Sequence, residues 1–282
     1  MTRTRIIPLT FLPAMATIAG FGVWLASSRD HAVVLVFVGI AAVATSFAAE
    51  RLAPYRPAWN DGIGDQKRDV AHAVVNESFV FASLALLPLL DGKLVVVDAW
   101  PSSWPFGFQV LLAVLVADFG ITVMHRISHH VGWLWRLHAV HHSVTRFYGF
   151  NGLLKHPLHQ AVELAAGVTP LVLVGLPANV AGALALCVVV QLLLQHSNVD
   201  YAVGPLGPWL ALNGAHRFHH VNAPGEGDVN FGLFTTVWDR WLLRTYRWVP
   251  DKTFSSEDLG IAGRSDYPTA YLDQLREPFR AR

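Results

Sequence analysis

The sequence predicts an all-α integral membrane protein: about four full transmembrane helices plus a shorter helical hairpin, with a histidine-rich cap on the cytoplasmic side. Three observations carry that expectation. Of the 282 residues, 53% are hydrophobic and only 15% charged, where a soluble domain has about a quarter charged. Several apolar runs reach the roughly 20 residues that a spanning helix needs. The polar stretches between them alternate, one set rich in arginine and lysine and the other nearly without them. The net charge of +1 and the lack of a basic run give no reason to expect nucleic acid as a partner. Cys187 is the only cysteine, which excludes an internal disulfide and a cysteine metal cluster.

Taken in order, residues 6–26 form the first span. Its uncharged stretch is long for a secretory signal and a second apolar span follows at once, so it reads as a retained helix. A polar turn at 27–30, with His31 as an interfacial residue, leads to a second span at 32–49. Residues 51–69 are a polar loop rich in Pro and Gly. The third apolar segment, 70–90, carries Asp69, His72 and Asn76 at i, i+3 and i+7, one stripe of a helix. Ionisable groups at such positions face a protein interior or an aqueous cavity, so His72 and Asn76 are expected to line the active site behind the ligands. Residues 91–104 form an exterior loop whose Trp100 and Trp104 suit the interface. The fourth span runs from Phe106 to about Ile127. Residues 164–199 contain no Asp, Glu, Lys or Arg and are broken by Gly175, Leu176 and Pro177, the pattern of a helical hairpin with a short first arm. Three units follow: an N-terminal transmembrane hairpin at 1–57, a catalytic domain at 58–250 and a polar C-terminal tail at 251–282.

Between the fourth span and the hairpin lies the densest chemistry. Six of the fourteen histidines fall within residues 125–142. His125 and His129, at i and i+4, place both imidazoles on one helix face. His138, His141 and His142 follow as HxxHH, and the same pattern recurs at His216, His219 and His220. Neutral imidazole binds iron, zinc and copper well. A lone membrane histidine is ordinarily a satisfied core residue, but three clusters at ligand spacing point to metal. Eight or nine nitrogen donors exceed the need of one ion, so two ions are expected. Asp118, seven residues before His125 and on its face, is expected to accept a hydrogen bond from a ligand imidazole and so fix its tautomer.

The segments HRISH (residues 125–129), HAVHH (138–142) and HRFHH (216–220) resemble the three histidine boxes of the membrane-bound fatty acid hydroxylase and sterol desaturase superfamily. Asp118, KHP at 155–157, QHSN around His196, and DVNFG followed by WDR agree with it, and the likeness covers about residues 60–250. The resemblance implies an integral-membrane di-iron oxidoreductase that uses O2 to hydroxylate or desaturate a C–H bond of a lipid or sterol-like substrate. It implies that His196 completes the ligand set His125, His129, His138, His141, His142, His216, His219 and His220. Around these nine, His72, Asn76, Asp118, His130, His156, Asp228 and Asn230 are the supporting candidates. Some relatives add a polar partner one turn before His196, where this chain has Leu192, and the family often carries an acidic residue where His159 stands.

Arg3, Arg5, Arg51, Arg56, Lys67, Arg68, Arg126, Arg136, Arg146 and Lys155 fall on one side of the predicted topology, against Arg29 and Lys93 on the other. By the positive-inside rule the first side is cytoplasmic, and all the histidine boxes fall there, in a multi-pass protein of the cell inner membrane. With no nucleotide-binding glycine fingerprint and no segment like a fused cytochrome b5, electrons are expected from a separate ferredoxin or cytochrome. A membrane haem protein would need paired axial histidines within the bilayer, and a metal transporter would place ligands near its midplane. A zinc hydrolase would carry HExxH, which is not present.

Overall fold

The computed structural model describes residues 3–28, 32–86, 93–249 and 251–280. The turn with Arg29, Asp30 and His31, and the far end of the third span at 87–90, lie outside the described residues. Among those described, the chain is all helical, with three isolated β-bridges and no strand.

Among the described residues nine α-helices follow one another: α1 (Arg3–Ala26), α2 (Ala32–Leu52), α3 (Gln66–Leu86), α4 (Phe106–His130), α5 (Gly132–His142), α6 (Pro157–Leu173), α7 (Ala178–His196), α8 (Asn213–His219) and α9 (Tyr271–Arg276). Five of them, α1, α2, α3, α4 and α7, are long and apolar enough to cross a membrane. The hairpin expected at 164–199 is α6 and α7, and α6 begins earlier than its apolar run suggests. Pro157 occupies the first helical position, where its missing N–H costs nothing, and the His156 ring accepts the Leu158 N–H at 3.2 Å as the cap. The fourth helix also exceeds its predicted end, so that His125 and His129 both sit on α4.

α7 is the axis of the bundle. In its apolar window 61% of residues are buried, against 17–33% in the other four spans. Their outer faces carry Phe21, Trp24, Phe37, Ile40, Phe79 and Phe108 exposed, as a lipid-facing surface requires. α4 and α6 lie close along their length, since a Cβ built on Gly120 would stand 2.2 Å from the Ala166 carbonyl oxygen. They run antiparallel: Leu173, at the end of α6, accepts the Val96 N–H at 2.9 Å from the loop that precedes α4.

Beyond the cap-side ends of α4 and α7 the chain folds into that cap. Glu50, near the end of α2, accepts the N–H of Gly149 at 2.8 Å and of Asn198 at 3.1 Å, joining three segments at one carboxylate. Trp59, Phe147, Phe218, Phe254 and Leu259 form the cap's own apolar core. The 251–280 segment is stitched onto this body: buried Gln274 bonds His72 and Ser143, and Tyr271 packs edge-on to His72.

Candidate metal centre

Four elements bring the nine histidines together. α4 supplies His125 and His129, α5 supplies His138, His141 and His142, α7 ends in His196, and α8 with the residue after it supplies His216, His219 and His220. They divide into two groups, His125, His129, His138, His142 and His219 in one and His141, His196, His216 and His220 in the other, each with ligand atoms within 4.8 Å of one another. Every histidine expected as a ligand belongs to one group.

The hydrogen bonds around these rings fix their tautomers. A carbonyl oxygen only accepts, so an imidazole nitrogen facing one must carry the proton. His125 Nδ1 donates to the Phe231 carbonyl at 2.9 Å, His219 to Val229 at 2.9 Å, His141 to Leu154 at 3.0 Å and His196 to Leu192 at 3.1 Å. His129 Nδ1 lies 2.8 Å from the Asp228 carboxylate. In a neutral ring each of these five then has a bare lone pair on Nε2, and the Nε2 atoms point inward. His142 Nε2 stands 3.2 Å from that of His129, 3.1 Å from that of His138 and 3.0 Å from that of His219. In the other group, His216 Nε2 lies 3.0 Å from that of His196 and 3.2 Å from that of His220. One proton on His142 cannot satisfy both His129 and His219. Lone pairs this close repel unless a cation sits among them, and metal ions at both groups fit this donor set.

Protonation of the rings is not the alternative. Burial first, then the neighbouring imidazoles, hold His138, His141, His142, His216, His219 and His220 well below the usual histidine range. They are neutral donors, the state metal binding requires.

The supporting candidates divide. Asp228 touches a ligand directly, through His129. Asp118 does not bond an imidazole: its carboxylate takes the N–H groups of Leu233 and Phe234 at 3.1 and 2.7 Å, the Thr235 hydroxyl and the Trp238 indole. It therefore acts through backbone, because it pins the segment whose Phe231 carbonyl orients His125. Asn230, at φ 54°, bonds the Ala215 and Arg247 carbonyls and braces the same loop against α8. His72 and Asn76 lie one layer out, both bonding the Lys155 carbonyl beside the Leu154 that orients His141. His130 is exposed and bonds the Arg126 carbonyl, and His156 caps α6, so neither joins a histidine group.

Sequence reasoning missed several residues that complete the site. The carbonyls of Leu154, Val229 and Phe231 carry no signal, since every residue has one. Lys155 and Glu163 form a buried ion pair at 2.5 Å beside the two groups, and Asp65 with Arg146 forms another under the loop after the second box. A small cavity of about 20 Å³ touches both groups and is walled by Ile121, Leu192 and Leu233 with Lys155 and Glu163. A larger one, about 240 Å³, opens on the cap beside His129, Trp135, His142 and His219.

Fold and site together define a class: a multi-pass membrane protein with two polyhistidine groups able to hold metal. Within that class, the chain belongs to the fatty acid hydroxylase family, whose characteristic domain matches residues 110–244. Ornithine lipid hydroxylase OlsE of Rhizobium tropici is 32% identical over 277 residues, 95% of this chain and 82% of that protein. Alkylglycerol monooxygenase of Danio rerio is 31% identical over 144 residues, 50% of this chain and 30% of that protein. Methylsterol monooxygenase 1 of Gallus gallus is 29% identical over 165 residues, 55% of this chain and 54% of that protein. No solved structure matches the chain. The chain is thus a membrane oxidoreductase of the oxygenase type.

Proposed function

We propose that the chain is an O2-dependent, non-haem di-iron oxygenase that hydroxylates, or at the same site desaturates, a C–H bond of a lipid or sterol-like molecule. The observation that carries this reading is the convergence of bare Nε2 atoms into two buried groups, one of five histidines and one of four. Iron bound by these groups would supply the redox chemistry through which O2 oxidises an unactivated C–H bond. The names of the three relatives, acting on an ornithine lipid, an alkylglycerol and a methylsterol, support a lipid substrate.

The remaining work falls to the chain's own residues. Ile121 and Leu192 stand one turn before His125 and His196 on their helices, so the wall of the small cavity is apolar on the side of the spans. That wall keeps water from the reacting carbon and suits an alkyl chain arriving from the bilayer. On the cap, Trp135 packs 5.0 Å from His129 and 5.3 Å from His142, ring to ring, beside the larger opening. This is the face we assign to a separate electron donor of ferredoxin or cytochrome type. The arginine distribution supports placing that face in the cytoplasm, with the protein in the cell inner membrane.

Metal analysis with Mössbauer spectroscopy on the detergent-solubilised protein tests the reading. Close to two irons per chain, magnetically coupled, is the expected result. Zinc alone, with no lipid oxidation recovered after iron loading, would overturn it. Replacing His141 with Ala should abolish turnover and lower iron toward one per chain while the protein still inserts.

A further inference from the structure

His138 is one of three expected ligands, with His216 and His220, whose buried Nδ1 has no hydrogen-bond partner among the described residues, and it alone of the three shares a cluster with a carboxylate. Its Nε2 faces those of His125 and His142 at 3.0 and 3.1 Å, so as a ligand it carries its proton on Nδ1. That Nδ1 is buried and has no partner among protein atoms, whereas His125, His129, His141, His196 and His219 each place Nδ1 against an acceptor. A buried N–H left without an acceptor costs about 1–3 kcal/mol.

Two acceptor residues beside this ring stand on α6. His159, Glu163 and His138 bring ring or carboxylate atoms within 4.8 Å of one another, and all three residues are buried. The Ser128 hydroxyl donates to the Met124 carbonyl at 2.8 Å, so it accepts from His159 Nε2 at 2.9 Å. This leaves a neutral His159 with a bare, unpartnered Nδ1, 3.9 Å from Glu163 Oε1. Two acceptors, and a ring whose Nδ1–H has no acceptor within hydrogen-bond distance, thus lie side by side in one buried cluster. One water molecule matches that pattern: it accepts from His138 Nδ1–H and donates to His159 Nδ1 and Glu163 Oε1. A metal cation does not match, because the Lys155 ammonium already lies 2.5 Å from Glu163 Oε2.

We infer that a buried water links His138 to Glu163 and His159, and that Glu163, held by Lys155, is the positioning residue that fixes His138 as a ligand of the five-histidine group. The inference rests on reading that group as a metal site. It assigns Glu163 to one group only, which gives it a distinctive signature.

The test uses the full-length protein in detergent, stripped of metal. Anaerobic Fe(II) titration of Glu163→Gln should show one site unchanged and the other weakened about 10- to 100-fold. In 15N-histidine NMR of the protein loaded with diamagnetic Zn(II), with the His138 signal assigned through His138→Gln, the wild type should show an Nδ1–H proton protected from solvent exchange and Glu163→Gln one that exchanges faster. Should Glu163→Gln fail to fold, Lys155→Met/Glu163→Met removes the same acceptor while replacing a buried ion pair by apolar side chains, a change that proteins tolerate. Wild-type affinity at both sites, or unchanged exchange of the His138 Nδ1–H in either variant, would overturn the inference. A wild type that takes up Zn(II) but no Fe(II) would instead sink the di-iron reading, and the exchange measurement would still decide the role of Glu163.

Discussion

Arg146 lies in the loop after the second histidine box, buried, with both arms of its guanidinium on one carboxylate: Nε to Asp65 at 2.8 Å and Nη2 at 2.7 Å. It also donates to the Trp59 carbonyl and packs 4.1 Å over the Tyr148 ring. Burial works to raise the Asp65 carboxyl, but the Arg146 guanidinium outweighs it and holds the group below the usual carboxylate range. A depressed folded value means that stability is fully present above the unfolded pKa, about 3.9, and is lost as pH falls through the lower folded value. The wild type should therefore lose this contribution only below about pH 4. Asp65→Asn should cost roughly 3–5 kcal/mol at neutral pH because Arg146 stays buried without its counter-ion, and its stability should show a shallower fall in acid. Thermal unfolding in detergent from pH 7 to pH 3 measures both, and an unchanged acid profile in the variant would sink the argument. Neither member of this pair was legible as a pair in the sequence, where 81 positions separate them. The nine histidines were legible because imidazole is rare, chemically distinctive and spaced at helical intervals. Among their acceptors Asp228 was legible in DVNFG, whereas the backbone carbonyls were not, because every residue carries one.

Among the elements, the stretch 228–239 does more than its turn-rich composition suggests. Asp228 meets His129, Val229 meets His219 and Phe231 meets His125, so three members of the five-histidine group take their orientation from it. Two carboxylates hold the stretch in place. Asp239 accepts the Phe231 and Gly232 N–H groups, both at 2.8 Å, and Asp118 reaches across from α4 to Leu233, Phe234 and Thr235. Hydrogen bonds to a charged group contribute about 1.5–3 kcal/mol each. Asp239→Ala or Asp118→Ala should therefore loosen this stretch and lower iron from two toward one per chain, with the four-histidine group retained. Metal analysis distinguishes that outcome from loss of both ions, which would mean collapse of the cap. The helical elements themselves were readable from hydropathy, since α1, α2 and α4 follow apolar runs almost residue by residue. Their ends were less so, because Ser128, His129 and His130 continue α4 on polar residues past its predicted end at about Ile127. The α4–α6 contact was not readable at all: it depends on Gly120 meeting the Ala166 carbonyl, and a single glycine in an apolar run gives no hint of its partner. Gly120→Ala should push the two helices apart and cost about 1–3 kcal/mol, seen as a lower Tm.

For the molecule as a whole, the histidines require the hairpin that the apolar run at 164–199 predicts. Among the described residues five helices qualify as spans, and with only those five α4 and α7 would not both end on one side of the membrane: α7 directly follows α4 in that count and would return the chain to the opposite face. Yet His129 on α4 and His196 on α7 sit in adjoining groups, with His141 5.0 Å from His196 and His138 and His142 bridging to His129. α6 must therefore carry the chain back across. Its 17 residues cover about 26 Å, a little less than the roughly 30 Å hydrocarbon core, and its far end is anchored where the Leu173 carbonyl meets Val96 and Val97. The loop before α4 and the turn between α6 and α7 then share the face opposite the cap. Cysteine labelling measures this directly, since Cys187→Ser removes the only thiol. Asp98→Cys, in an exposed position beside Gly175, should react with a membrane-impermeant maleimide added outside intact cells, and Asp251→Cys on the cap only after the membrane is opened. Labelling of both from the same side would break the α6 crossing. The reverse pattern would keep the crossing and place the histidine groups, with the face assigned to the electron donor, outside the cytoplasm.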